Sequence, residues 1–98
     1  MAENNIATVT QVNNDWHISG DVLINTANDL LKQSQSYSIE QNTKVDFAEV
    51  TDVDTTAVSL ILEWKRRAEK ENQSLVFINL PENLNSLIQL YDVAELIN

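Results

Sequence analysis

The sequence predicts an α/β domain with a mixed β-sheet of about four strands and three helices, in the order ββαβαβα. Short runs of alternating or continuous apolar residues indicate strands. Segments with apolar residues three and four positions apart indicate helices between them. Strands that are connected through helices pair in parallel with right-handed crossovers. The first two runs are separated by only two residues, which adds an antiparallel hairpin at one edge.

The length and composition indicate one small domain. The chain has 98 residues, so we expect residues 1–98 to form a single unit, with residues 1–5 frayed. Hydrophobic residues make up 43% of the chain, which permits a packed core. There is no cysteine, which excludes a disulfide framework, a thiolate zinc site and a cysteine nucleophile. A single glycine cannot supply a glycine-rich phosphate loop.

Metal-dependent and other enzyme chemistry is not expected. His17 is the single histidine and cannot build a histidine metal site alone. Asp52 and Asp54 could bind a metal, but acidic residues before a helix are explained by its positive N-terminal end. No serine–histidine–carboxylate arrangement can be argued from the spacing. We therefore expect no catalytic residue, no metal and no cofactor.

The charge distribution argues against nucleic acid as a partner. The net charge of −9 would repel a phosphate backbone. No apolar run is long enough for a membrane helix, and the acidic N-terminus is unlike a secretory signal. The absence of cysteine fits a cytoplasmic protein, which is the location we expect. Four of the six basic residues lie between Lys65 and Lys70. They form either a solvated helix face with interleaved glutamates or a local docking patch.

The first elements are a hairpin and a helix. Two strands, at residues 7–12 and 15–20, flank the Asn13-Asn14 pair, and Gly20 is expected to end the second. Residues 25–38 have the helical spacing Ala27, Leu30, Leu31, Ser34, with Asn25 or Thr26 as the cap. The side chains assigned to the core are Trp16 and Ile18, and His17, which alternates with them, is assigned to the surface.

The second helix starts near Asp54 and has two candidate inner faces. The preceding strand, residues 43–50, directs Val45 and Phe47 to the core. One candidate face comprises Val58, Ile61, Leu62, Lys65 and Ala68, and the other comprises Ala57, Ile61, Trp64 and Ala68. If the first face is buried, Leu60, Trp64 and Arg67 share an exposed face and form an aromatic–arginine hot spot. If the second is buried, Trp64 is an ordinary core residue. A helix that is buried over a wide arc could use parts of both faces.

The last strand and helix follow. Residues 74–80, SLVFINL, are nearly continuously apolar, as a strand that is covered on both faces would be. Pro81 suits the first position of a helix. Leu84, Leu87, Ile88 and Tyr91 then give one last amphipathic helix.

The junction between the third strand and the second helix resembles the signature of STAS domains. In residues 45–62, VDFAEVTDVDTTAVSLIL, a strand with an aspartate and a hydrophobe leads to an aspartate and a threonine that open a helix. The matching positions are Asp46, Phe47, Val50, Val53, Asp54 and Thr55, without a gap. The order of elements also agrees, and residues 80–97 look like the closing helix of such domains.

Within that family the chain is most similar to the small STAS subunit of the Mla phospholipid-transport ABC system. That subunit stands alone and carries Val-Asp-Thr at this junction, here residues 53–55. The resemblance implies a non-enzymatic accessory protein that binds the ATPase subunit, is peripheral to the inner membrane through that complex and supports outer-membrane lipid asymmetry. It implies no direct membrane insertion.

The same resemblance offers an alternative, an anti-sigma-factor antagonist that is regulated by phosphorylation and binds an anti-sigma factor or kinase. Thr55 matches the phosphoacceptor of those proteins. Asp52 and Asp54 would repel a phosphate there, Ala57 replaces the glycine that usually closes the motif, and Leu23 stands where many antagonists have an aspartate. We therefore expect a partner-binding face, with Asp54 as the helix cap. The residues assigned to that face are Thr55, Thr56, Ser59, Glu63, Trp64 and Arg67.

Overall fold

The computed structural model describes residues 7–97 as a four-stranded sheet with four helices. The elements are β1 (Thr8–Val12), β2 (Asp15–Val22), α1 (Ala27–Ser34), β3 (Thr43–Val53), α2 (Thr55–Lys70), β4 (Leu75–Ile78), α3 (Glu82–Leu90) and α4 (Ala94–Ile97). The strands lie in the order β1-β2-β3-β4, with β1 antiparallel to β2 and the other pairs parallel. The predicted class and the mixed sheet are confirmed. The expected fraying of residues 1–5 lies outside the described residues.

The hairpin turns at Asn13 as predicted. Val12 pairs with Asp15 across a two-residue turn, and Asn13 has a φ of 58°, which asparagine tolerates better than most residues. Gly20, however, does not end β2, which continues to Val22. Its φ of 92° accompanies a shift in the pairing with β3, so the glycine allows an irregularity within the strand.

The C-terminal region contains two helices where the sequence predicted one. Asp92 has a φ of 56° and its N–H donates to the carbonyl of Gln89. The N–H of Val93 donates to the carbonyl of Ile88 at 3.2 Å. These two bonds form a Schellman end, which stops α3 although the left-handed position holds aspartate rather than glycine. The amphipathic spacing of the segment continues through this stop, so the spacing alone could not predict that α3 ends there.

The first helix is shorter than predicted and is not capped by a side chain. It ends at Ser34 rather than near residue 38. Thr26 occupies the N-cap position, but its hydroxyl makes no bond to the helix and instead donates to the carbonyl of Asp21 at 2.7 Å. The same hydroxyl accepts from the N–H of Leu23 at 2.9 Å. Thr26 therefore stabilises the loop between β2 and α1.

The core lies on one face of the sheet. Trp16, Ile18, Val45 and Phe47, which alternate along β2 and β3, are at most 1% exposed, as predicted. The intervening side chains, such as His17, are more exposed. The prediction that β4 is covered on both faces is wrong, since Val76 is 40% exposed. The nearly continuous apolar run therefore does not mean that both faces of this strand are covered.

Candidate docking surface

The junction between β3 and α2 is held by the carboxylate of Asp54. One of its oxygens accepts a hydrogen bond from the N–H of Thr56 at 2.8 Å, which confirms Asp54 as the helix cap. The other accepts from the N–H of Ile24 at 3.0 Å. The backbone N–H of Asp54 in turn donates to the carbonyl of Val22 at 3.3 Å. The start of α2 and the loop after β2 are therefore joined into one ordered edge.

An exposed ridge begins at this junction and follows α2. Thr55, Ser59 and Glu63 are exposed and spaced by four residues, so they lie in a row on one side of the helix. Thr56 is half-buried beside them. Within residues 7–97, the hydroxyls of Thr55, Thr56 and Ser59 have no hydrogen-bond partner. The structure thus brings together four of the six predicted contact residues. Their three hydroxyls are free to meet another molecule, while the carboxylate of Glu63 bonds Arg66 at 3.0 Å.

Two grooves flank this α2 ridge. The first has a volume of about 410 Å³ and separates the ridge from the turn between α3 and α4. Its lining comprises Thr55, Val58, Ser59, Leu62, Tyr91 and Val93. The second, of about 220 Å³, lies between α1 and α2. Its lining comprises Ala27, Asn28, Leu31, Thr56, Ser59, Leu60 and Glu63. Ser59 lines both grooves, so the ridge stands between two partly apolar depressions.

Two exposed apolar side chains border the same region and were missed by the sequence analysis. Ile24 is 78% exposed, and its backbone is bonded to Asp54 at the start of α2. Tyr91 is 51% exposed and lines the groove that contains Thr55. An apolar residue in a loop gives no periodic signal, and Tyr91 fitted the predicted inner face of the last helix. We define the docking surface as Thr55, Thr56, Ser59 and Glu63 together with Ile24 and Tyr91.

Trp64 is not part of this surface, so its assignment as a contact residue is wrong. It is 1% exposed and packs edge-to-face on Trp16, with ring centroids 5.5 Å apart. Its indole N–H donates to the hydroxyl of Ser34 at 2.9 Å, which satisfies the buried polar group. The buried side of α2 spans a wide arc that includes the whole second candidate face and also Val58 of the first.

Arg67 is also engaged inside the domain. Its guanidinium donates to the carbonyl of Ser34 at 2.9 Å and to the carbonyl of Tyr37, and it bonds the carboxylate of Glu71 at 3.1 Å. It also lies 5.8 Å from the ring centre of Trp16. Arg67 therefore ties the end of α1 to α2, and we exclude it from the docking surface.

The acidic side chains and the hydropathy of the helices within residues 7–97 were compared with what a metal site or a membrane span requires. Residues 7–97 contain no group of three or more histidine, aspartate or glutamate side chains arranged to hold a metal ion. The Asp52 carboxylate accepts from the N–H of Val53 at 2.9 Å, and that of Asp54 is used in the cap. Within the same residues, none of the helices has the length and hydropathy needed to cross a bilayer.

The chain matches a known protein family. A protein-family model described as "Mlab, STAS domain" matches residues 10–98 of the chain. No curated protein matches the chain. The matched region contains the whole junction between β3 and α2, the α2 ridge and both grooves.

Proposed function

Because the chain belongs to the STAS domain family, we propose that it is a non-enzymatic binding subunit whose partner is the ATPase of a phospholipid-transport ABC complex. The complex would maintain outer-membrane lipid asymmetry, and this chain would lie in the cytoplasm, held at the inner membrane by its partner. The description of the matching family model and the Val53-Asp54-Thr55 junction both support this choice.

The observation that carries the proposal is the ordered, exposed ridge at the start of α2. Thr55 and Ser59 present free hydroxyls on a backbone that Asp54 already holds at two points. A surface that is ordered before binding loses little conformational entropy on association. The flanking grooves can receive apolar side chains of a partner, while the hydroxyls determine its position.

Substitution of Thr55 tests this face directly. Thr55→Arg places a long charged side chain on the ridge, and we expect co-purification with the ATPase to be lost while circular dichroism and thermal unfolding are unchanged. Thr10→Arg is the matched control, because Thr10 is exposed on the open face of the sheet. Normal binding by the Thr55 variant would eliminate this surface as the ATPase contact.

The apolar border of the surface gives a second test. Ile24→Ser and Tyr91→Ser should each weaken ATPase binding by about tenfold or more, as the loss of apolar anchors does in other interfaces. Val12→Ser and Val76→Ser serve as controls, because both residues are exposed apolar residues in the strands. If all four variants bind equally well, the partner does not use the apolar border of the docking surface.

A second candidate function is supported by the exposure of Thr55. A phospho-regulated antagonist in a partner-switching pathway needs an accessible hydroxyl at this junction, and Thr55 is exposed whereas Thr56 is half-buried. Intact-mass analysis after incubation with the cognate kinase should then show one phosphate, which Thr55→Ala removes and Thr56→Ala retains. An unmodified wild-type chain excludes this function and leaves the transporter subunit.

A further inference from the structure

The C-terminal half of α2 is basic in a chain that is otherwise strongly acidic. The net charge is −9, yet four of the six basic residues lie between Lys65 and Lys70. Arg67 is committed to contacts with the end of α1. The other three extend from α2, with Lys70 and Arg66 exposed and Lys65 half-buried. We call Lys65, Arg66 and Lys70 the basic segment.

Part of this charge is already neutralised within the domain, and part is not. Arg66 bonds Glu63 at 3.0 Å, but its side chain remains 67% exposed. Lys65 and Lys70 have no carboxylate within 4.0 Å among residues 7–97. Cations near a helix C-terminus stabilise the helix dipole, which explains basic residues in the last turn. Lys65 lies more than a turn before the end of α2, where that effect has faded.

Two residues of the basic segment are continuous with the docking surface, whereas Lys65, seven residues after Val58, lies on the side of α2 that Val58 occupies. Helical spacing places Arg66 and Lys70 on the same side of α2 as Thr55 and Ser59. At 1.5 Å per residue, Thr55 and Lys70 are separated by about 22 Å along the helix. A partner that covers the whole ridge therefore meets hydroxyls at one end and ammonium and guanidinium groups at the other.

The opposite end of the ridge is acidic. Asp54 caps α2, and Asp52 lies two residues before Asp54. Asp21 is the pairing partner of Asp52 across β2 and β3. The exposed side of α2 thus runs from a negative to a positive end. Such an asymmetry favours one orientation of a charged partner over the reverse.

We propose that the basic segment binds an acidic segment of the partner ATPase, and that the opposite charges at the two ends of α2 determine the direction in which the partner lies across it. This rests on the proposed function. A protein segment is favoured over a lipid surface because residues 63–71 also contain three glutamates and carry a net charge of only +1. A flat anionic bilayer would meet all three glutamates and the remaining acidic surface, whereas a narrow segment along the ridge meets only Glu63, which is already paired with Arg66.

A charge-reversal pair with a matched control tests this inference. Arg66→Glu/Lys70→Glu and Lys32→Glu/Lys44→Glu each lower the net charge by four, because each replaces two basic residues by glutamates. The affinity and association rate of each variant for the ATPase are measured at low and high ionic strength, with thermal unfolding as the folding control. We expect the first pair to weaken binding by about tenfold or more, mainly through slower association, and to reduce the salt dependence. The control pair should change the affinity by less than about threefold.

Each other outcome has a defined meaning. Equal losses for the two pairs would overturn the inference, since only the net charge would matter, and would leave the docking surface intact. A wild-type chain that does not bind the ATPase overturns both proposals. Binding to vesicles with anionic headgroups is measured for the same proteins. If the wild-type chain binds them, the Arg66/Lys70 variant does not, and both bind the ATPase equally, the segment recognises lipid and the inference is wrong.

Discussion

The carboxylate of Asp54 accepts a hydrogen bond from the backbone N–H of Ile24 at 3.0 Å, across 30 residues of sequence. The same carboxylate caps α2 through the N–H of Thr56. One side chain therefore serves two backbone donors, one local and one distant. Because Ile24 and Thr55 both border the docking surface, this carboxylate sets their relative position.

Two substitutions of Asp54 should lower the stability of the domain by different amounts. Asp54→Ala removes both acceptors, and we expect the free energy of unfolding to fall by about 2 kcal/mol, the sum of a lost cap and a lost loop bond. Asp54→Asn keeps one oxygen for the cap but turns an amide donor toward Ile24, so it should recover about half of that loss. Urea denaturation measures both values. An alanine variant as stable as the wild type would contradict the bridging role.

Arg67 should contribute far more to stability than its neighbour Arg66. Arg67→Ala breaks two bonds to carbonyls at the end of α1 and the contact with Trp16, so we expect a loss of about 2–3 kcal/mol. Arg66→Ala breaks one exposed ion pair and should change the free energy by less than about 0.5 kcal/mol. Similar effects of the two substitutions in thermal or urea unfolding would show that Arg67 is not needed to hold α1.

Gln33 should protect the edge of the sheet that β1 forms. Its amide oxygen accepts from the N–H of Val9 at 2.9 Å and its amide nitrogen donates to the carbonyl of Ala7 at 3.1 Å, which imitates a neighbouring strand. Gln33→Ala exposes these groups, so we expect a loss of about 1–2 kcal/mol together with concentration-dependent self-association. Sedimentation velocity would detect the association, with Gln35→Ala, an exposed glutamine on the same helix end, as the control. A monomeric Gln33 variant would contradict the protective role.

Asp46 should make stability depend on acid pH. The side chain of Asn79 and the N–H of Ala48 both donate to its carboxylate and lower its pKa below the usual 3.8, with a smaller contribution from His17 and an opposing one from burial. Since the folded pKa is below the unfolded one, this contribution to stability is present above pH 3.8 and is lost as the pH falls through the lowered folded value. Acid titration of unfolding should show this loss.

A single substitution isolates the cause of that shift. Asn79→Gly keeps the positive φ of 57° and removes the amide donor, so the pKa of Asp46 should rise toward its usual value in an NMR titration. Asn72→Gly is the control, since Asn72 has the same φ and follows α2. An unchanged Asp46 titration in the Asn79 variant would assign the lowered pKa to the N–H of Ala48 and to His17 instead.

Local patterns were sufficient for the turn and the cap. The turn at Asn13 and the cap that Asp54 forms with Thr56 involve neighbours within a few residues, so both could be read directly from the sequence, whereas the bond of Asp54 to Ile24 could not. Gly20 and Asp92 were misread for the opposite reason. The glycine serves a distant strand pairing, and the aspartate ends a helix from within an apolar pattern that continues past it.

By itself, the sequence determined the α/β class, the inward face of β2 and β3, and the capped junction that opens at Thr55, because each depends on spacing along one element. Only the tertiary structure decided which side of α2 faces the core. Two apolar stripes overlap on that helix, and burial of Trp64 was settled by the hydroxyl of Ser34 and the ring of Trp16, which come from elements at least 30 residues away. Tertiary contacts also hold Arg67 against the end of α1, away from the docking surface. The side chain of Ile24 remains exposed at that surface.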